Sequence, residues 1–340
     1  MTGVSLRYTN MEPAVNYHSL SDIVSSDLAL VEDRLKSLVS SEVQLVSGIG
    51  SYVISSGGKR IRPVIMLLAA RAITGAPASE KIIDAAASVE CLHTATLIHD
   101  DVVDGSSMRR GRHTANYTYG IAPTVLIGDY LLARAVAAIS GLGNGGLYIK
   151  LAETVSVMAE GEIQQLDQSF DTAIKEETYR SIIYAKTARL FETSAWLAAS
   201  LSTDDEKTAG AFSEYGRHIG NAFQITDDVI DYISTESAMG KNPGDDFMEG
   251  KITLPVIAAL RKADSKDAGR LRDMFHAESR EGMFEEALSI LKKYSAIAES
   301  ADAAMKEAEL AACSIRDLSL SATEKNALLS LCSMVCERIS

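Results

Sequence analysis

Apolar residues recur at helical spacing along almost the whole chain. Leu28, Val31, Leu35 and Leu38 repeat at intervals of three and four. Ser79, Ile82, Ile83, Ala86, Val89, His93 and Leu97 form one stripe on a segment running to Asp104, where Gly105 stops it. Pro63 is a first-turn residue for a helix over 64–74, and Gly75 follows its end. The same spacing predicts helices over 124–139, 147–168, 177–201, 207–233, 254–261 and most of 282–339. Loops are expected at 141–146, which is glycine-rich, at 204–206 and at 234–250. No proline lies between Pro123 and Pro243, and alternating β-branched runs are scarce. No linker, repeat or low-complexity tract divides the chain. The pattern predicts an all-α, single-domain helical bundle over residues 21–340, preceded by a poorly ordered N-terminal segment, 1–20.

Charge narrows the partners. The 340 residues carry a formal charge of −13, which argues against nucleic acid or an anionic membrane surface as a general partner. A local cluster of Lys and Arg can still bind a small anion. The longest uncharged stretches, 113–128 and 135–149, are broken and fall short of the ~20 apolar residues of a membrane span. Residues 1–17 have no apolar core segment and do not read as a signal peptide. Cys91, Cys313, Cys332 and Cys336 have no CxxC spacing, so they read as free thiols in a reducing, cytoplasmic compartment.

The candidate chemistry lies in two aspartate clusters of identical spacing: Asp100, Asp101 and Asp104, and Asp227, Asp228 and Asp231. On a helix the first and last member of each cluster share a face. Both clusters sit in apolar sequence, with Leu97 and Ile98 before one and Phe223 and Ile225 before the other. Two carboxylates ~6 Å apart repel by roughly 3 kcal/mol at an effective dielectric near 20. Negative charge at a helix C-terminus also opposes the macrodipole. A divalent cation reverses both penalties, and an all-oxygen, carboxylate-rich set suits Mg²⁺, which also takes phosphate oxygens. Neither cluster has the loop glycine or distal Glu of an EF-hand.

Basic residues supply the other half. In Gly57-Gly58-Lys59-Arg60-Ile61-Arg62-Pro63 the glycines allow close backbone approach and the helix start favours an anion, which Lys59 and Arg62 can clamp. Arg109, Arg110 and Arg112 follow the first aspartates, and Lys186, Lys241 and Lys251 complete the set. Two acidic faces and separate basic clusters suit two phosphorylated substrates, one bound through metal and one directly. No nucleophile–base pair stands out, so the implied chemistry is metal-assisted departure of a phosphate-type leaving group.

At this level the chain resembles the trans-polyprenyl diphosphate synthases. The similarity runs in order through GGKRIRP (57–63), ECLHTATLIHDDVVDGSSMRRGRHTAN (90–116), VLIGDYLLARA (125–135), EGEIQQL (160–166), AKTARLF (185–191), GNAFQITDDVIDY (220–232) and GKNPGDDFMEGKITLP (240–255). The resemblance implies an all-α bundle around a deep cavity, acting as a homodimer. It implies that Lys59, Arg62, His93 and Arg110 bind isopentenyl diphosphate. Two or three Mg²⁺ ions would be held by Asp100, Asp101 and Asp104 and by Asp227, Asp228 and Asp231. Arg109, Lys186, Lys241 and Lys251 would contact an allylic diphosphate, and Thr187 and Gln224 would place oxygens near the developing cation. Closure of loop 234–250 over the site is a further expectation.

Helix rise places Ala95 and Thr96 ~6–8 Å below Asp100. Both are small, as are Cys91 and Ser88 further down and Ala133, Ala135 and Ala137 on the facing helix. The expectation is a deep tunnel and a long-chain product of seven to ten isoprene units, of the octaprenyl or decaprenyl type. The alternatives are a shorter-chain geranylgeranyl or farnesyl diphosphate synthase, a terpene cyclase, and a non-catalytic regulatory subunit. The basic clamp disfavours the cyclase, and retention of all six aspartates disfavours the regulatory subunit.

Overall fold

The computed structural model describes residues 17–143, 145–233 and 243–339. It is helical almost throughout. The helices are α1 (Tyr17–Ile23), α2 (Ser25–Leu38), α3 (Gln44–Ser55), α4 (Ile61–Thr74), α5 (Glu80–Val103), α6 (Ala115–Tyr119), α7 (Ile121–Ser140), α8 (Gly145–Asp167), α9 (Glu176–Ile183), α10 (Arg189–Ser200) and α11 (Glu206–Ile233). After these come α12 (Asp245–Glu249), α13 (Leu254–Lys262), α14 (Ser265–Phe275), α15 (Phe284–Lys293), α16 (Ala296–Arg316) and α17 (Ala322–Cys336). A two-residue hairpin, β1 (Met108–Arg109) with β2 (Arg112–His113), follows α5.

The ends of these helices follow local chemistry. The Ser79 hydroxyl accepts from the Ile82 N–H at 3.4 Å and opens α5, and Gly75 closes α4 at φ +67°. Asp264 accepts from the N–H groups of Lys266 and Asp267 to open α14. α11 runs through the middle, packed between α10 and α16, while α5 lies against α7, α2 and α4. Phe191, Phe212, Tyr215, Phe247 and Phe275 are fully buried, and the Tyr215 hydroxyl donates to the Leu328 carbonyl at 2.9 Å.

Several elements differ from the pattern reading. The helix expected over 177–201 is divided into α9, a π-helical turn (Tyr184–Ala188) and α10. The expected loop 234–250 contains α12, while residues 234–242, with Lys241 and most of the expected closing segment, lie outside the described residues. Residues 1–16 of the N-terminal segment also lie outside them. α7 is long and apolar enough, by length and composition, to cross a membrane, with a mean hydropathy of 1.4. The uncharged-stretch reading missed this because Asp129 and Arg134 interrupt the helix. In the fold α7 packs along α5.

The π turn is clamped by backbone approach from both sides. A Cβ on Gly220 of α11 would stand 2.5 Å from Ala188 Cα, and one on Gly161 of α8 would stand 2.6 Å from Ala185 Cβ. An i→i+5 turn inside a helix re-aims the side chains it carries, here Lys186 and Thr187. Gly220→Ala is expected to destabilise the protein by about 1–3 kcal/mol. A urea titration checks this; an unchanged midpoint would mean that the two backbones are not in close contact.

Candidate active site

A cavity of about 1070 Å³ opens between α5, α8, α9, the π turn and α11. α5 presents Glu90, His93, Thr96, Leu97, Asp100 and Asp104 to it, a stripe at steps of three and four. α11 presents Phe223, Gln224, Asp227 and Asp228 from the opposite side. The two aspartate clusters therefore meet across one space.

Their members are not equivalent. Asp100, Asp104 and Asp227 line the cavity. Burial, together with Glu162 and Asp104, pushes the Asp100 carboxyl up to about 6, with Lys186 and Arg109 opposing. Asp101 lies off this wall, buried, with its Oδ1 2.6 Å from Arg109 Nε. Asp228 is buried and takes two donors: the Tyr179 hydroxyl at 2.6 Å and Gln224 Nε2 at 2.8 Å. Burial, then Asp246, pushes its carboxyl upward, against those two donors. Asp231 also lies off the wall, where its carbonyl accepts from the Gly244 N–H at 2.9 Å and its carboxylate from the Asp246 N–H at 3.2 Å. It holds the start of α12. Asp246, which the sequence reading did not assign, lines the cavity; it lies in the quoted segment 240–255, and its signal was the paired Asp245-Asp246.

Basic residues line the same cavity. Lys59, Arg62, His93, Arg109 and Arg110 all line it. Arg62 is buried, with its guanidinium 4.2 Å over the Phe191 ring and its Nε without a partner. Burial brings it down to about 10. Burial, then Arg62, Arg110, Arg109 and Arg60, holds His93 well below its usual value. Arg62 with its orphaned donor, together with Lys59, Arg110 and the His93 imidazole, forms a site for an anion. Arg110 stands at φ +52° and its guanidinium bonds the Gly57 carbonyl; a Cβ on Gly58 would meet it at 2.8 Å.

Arg60 has a different task, which the sequence reading left unassigned. It sits at φ +50° before α4, with Nε 2.6 Å from Glu32 and Nη1 3.0 Å from Glu90. It braces the Lys59–Arg62 segment against α2 and α5. Lys186 lies 2.6 Å from Glu162 of α8 and 2.6 Å from Gln165. Lys251 pairs with Glu249; burial lowers it, but Asp246, Asp104 and Glu249 outweigh burial and raise it. Thr187 donates to Gln224 Oε1 at 2.8 Å. Thr96 is on the cavity wall, whereas Ala95, 1% exposed, is packed in the core behind it. Of the three α7 alanines named for the tunnel, Ala135 is buried, whereas Ala133 and Ala137 are exposed.

Among the described residues no three Asp, Glu, His or Cys side chains converge closely enough to hold a metal alone. The donors fit a hard divalent cation in kind, since Asp100, Asp104 and Asp227 are all-oxygen and line one cavity. A cation held there would take its remaining ligands from water and a bound anion.

The chain has known relatives. The sequence profile of the polyprenyl synthetase family matches residues 43–291. The chain belongs to that family. Over 319 residues this polyprenyl synthetase is 39% identical to octaprenyl diphosphate synthase of Haemophilus influenzae, covering 94% of this chain and 96% of that one. It is 39% identical to an all-trans-nonaprenyl-diphosphate synthase (geranyl-diphosphate specific) of Rhodobacter capsulatus, covering 93% and 96%. A decaprenyl diphosphate synthase structure from Rhodobacter capsulatus superposes with a TM-score of 0.89 at 34% identity, covering 96% of this chain and all of that one. A polyprenyl synthase from Caulobacter crescentus, complexed with calcium and isoprenyl diphosphate, superposes with a TM-score of 0.89 at 33% identity, covering 97% and 100%. The all-α isoprenoid synthase fold expected from the sequence is thereby established.

The brace on the clamp is testable through stability. Arg60→Met leaves Glu90, whose side chain is 6% exposed, as a buried charge without its partner. Breaking a buried pair costs about 3–5 kcal/mol, and the thermal midpoint is expected to fall accordingly. A midpoint unchanged from the native protein would show that Arg60 carries no such load.

Proposed function

We propose that this polyprenyl synthetase is a prenyltransferase that condenses isopentenyl diphosphate head to tail with an allylic diphosphate primer. Its product is a long-chain, all-trans polyprenyl diphosphate. The carrying observation is one cavity with two chemically different anion sites, a wall of Asp100, Asp104 and Asp227 and a separate clamp of Lys59, Arg62, His93 and Arg110. A cyclase has one diphosphate to bind and no use for the second site.

The residues divide the work. Asp100, Asp104 and Asp227 hold the divalent ions, taken as two or three Mg²⁺ per site. When bound, these neutralise charge on the allylic diphosphate. Lys186, Arg109 and Lys251 add positive charge there and stabilise the departing anion. Lys241 belongs to the same group in this reading. Arg62, Lys59, Arg110 and His93 fix isopentenyl diphosphate so that its double bond faces the allylic carbon. Thr187 and Gln224 turn oxygen toward the cation. Leu97, Met158, Phe191 and Phe223 form an apolar lining that keeps water from it. The proton lost after C–C bond formation passes to the departed diphosphate, so no separate protein base is required.

Relatives named for octaprenyl, nonaprenyl and decaprenyl products support a chain of seven to ten units over the farnesyl and geranylgeranyl alternatives. The small Thr96 below Asp100 leaves the path open. Incubation with both substrates and Mg²⁺, followed by product chromatography, is expected to give that length. Thr96→Tyr is expected to shorten it by several units, and an unshortened product would remove Thr96 from the path.

The protein is further proposed to act as a homodimer in a reducing, cytoplasmic compartment. Only 28% of α7 is buried, and Ile121, Leu126, Tyr148, Ile149, Ile163 and Leu166 of α7 and α8 are exposed. Such an apolar face suits a second copy. The chain is expected to sediment at twice 36.5 kDa, and Leu126→Glu to shift it toward monomer. A native protein that sediments as monomer would contradict the assignment.

A further inference from the structure

Tyr179 is 4% exposed and lies on the cavity wall, yet it carries none of the diphosphate chemistry. It begins a line of four groups. Its hydroxyl donates to Asp228 Oδ2 at 2.6 Å, Gln224 Nε2 donates to Asp228 Oδ1 at 2.8 Å, and Thr187 Oγ1 donates to Gln224 Oε1 at 2.8 Å. Two helices share the line. Tyr179 and Thr187 stand at its ends on α9 and the π turn, while Asp228 and Gln224 occupy its middle, four residues apart on α11.

We propose that Tyr179 is a positioning residue which, through Asp228, fixes the direction of the Gln224 amide and so presents oxygen to the developing allylic cation. The inference rests on the prenyl-transfer reading above. An amide is a donor at one end and an acceptor at the other. With its NH₂ on Asp228, Gln224 must turn Oε1 toward Thr187. The single hydroxyl hydrogen of Thr187 is then committed to Oε1, and only lone pairs of Thr187 remain toward the cavity. In the reversed amide the NH₂ would face Thr187, and the hydroxyl hydrogen would be free to point at the cation.

Asp228 holds that direction best while both its oxygens are satisfied, because a carboxyl only 3% exposed loses more than a solvated one when a donor is removed. Tyr179 is the donor on its far side. The helix that carries it is anchored from behind. Arg180 reaches Glu307 of α16 at 3.3 Å, Glu307 also lies 2.7 Å from His218 Nδ1, and Glu176 pairs with Arg261 of α13 at 2.9 Å. Asp228 thus orients an amide, while its neighbour Asp227 faces the metal side.

The test uses the full chain with isopentenyl diphosphate, an allylic primer and Mg²⁺. Tyr179→Phe is expected to lower kcat roughly 10- to 100-fold, with KM for both substrates within about twofold of native. The urea midpoint of a variant that still folds reports separately on structure. Asp228→Asn, which no longer compels the amide direction, is expected to lower kcat further, again at near-native KM. The ¹⁵N side-chain resonance of Gln224, assigned by its disappearance in Gln224→Leu, is expected to move in both variants. Native kcat in Tyr179→Phe, a parallel rise in both KM values with a lowered midpoint, or an unmoved Gln224 resonance would each overturn the inference. If the native chain turns over and Tyr179→Phe does so equally well, the inference fails alone. If the native chain does not turn over, the prenyl-transfer reading fails and takes the inference with it.

Discussion

Charges of one sign cannot be crowded into a shielded cavity unless each has a counter-charge or a ligand to meet. Almost every ionic group at this site obeys that constraint by pairing within the protein: Arg60 with Glu32 and Glu90, Arg109 with Asp101, Lys186 with Glu162, Lys251 with Glu249. What remains is informative. On one side are Asp100, Asp104 and Asp227, with Asp100 pushed up by burial, and on the other is Arg62 with an orphaned Nε. These acids and this base lie in one cavity, which suits two anions bound by different means, one through a cation and one directly.

Backbone packing makes this separation hold. Gly161 and Gly220 let α8 and α11 close on the π turn, and the π turn aims Lys186 and Thr187 into the space that α5 and α11 enclose. The left-handed Arg60 and Arg110 likewise bring two loops together so that Arg62 and Arg110 reach the same pocket. The residues that bind are few, and a larger number serve to point them.

Much of this was legible from residue order. Periodicity put His93 and Leu97 on one α5 stripe and Asp100 and Asp104 on one face, and all four line the cavity, whereas Asp227 and Asp231, read the same way, part company: Asp227 lines the cavity and Asp231 does not. The division of labour within each cluster was not legible. One step along a helix is a 100° turn; it takes Asp101 off the wall to Arg109, while Asp228, still on the wall, is tied to Tyr179 and Gln224. The same step separates Thr96 on the wall from Ala95 in the core. The π turn was invisible because one extra residue barely disturbs an apolar stripe. Arg60 was hidden for another reason: the acids that claim it, Glu32 and Glu90, are 28 and 30 residues away.

The most direct test of two anion sites with different chemistry is calorimetric. Binding of isopentenyl diphosphate and of an unreactive thiolo analogue of the allylic primer would each be titrated in Mg²⁺ and in EDTA. The account predicts that the analogue binds only with Mg²⁺, while isopentenyl diphosphate retains most of its affinity in EDTA through Arg62, Lys59 and Arg110. Equal dependence of both ligands on the metal, or of neither, would contradict it.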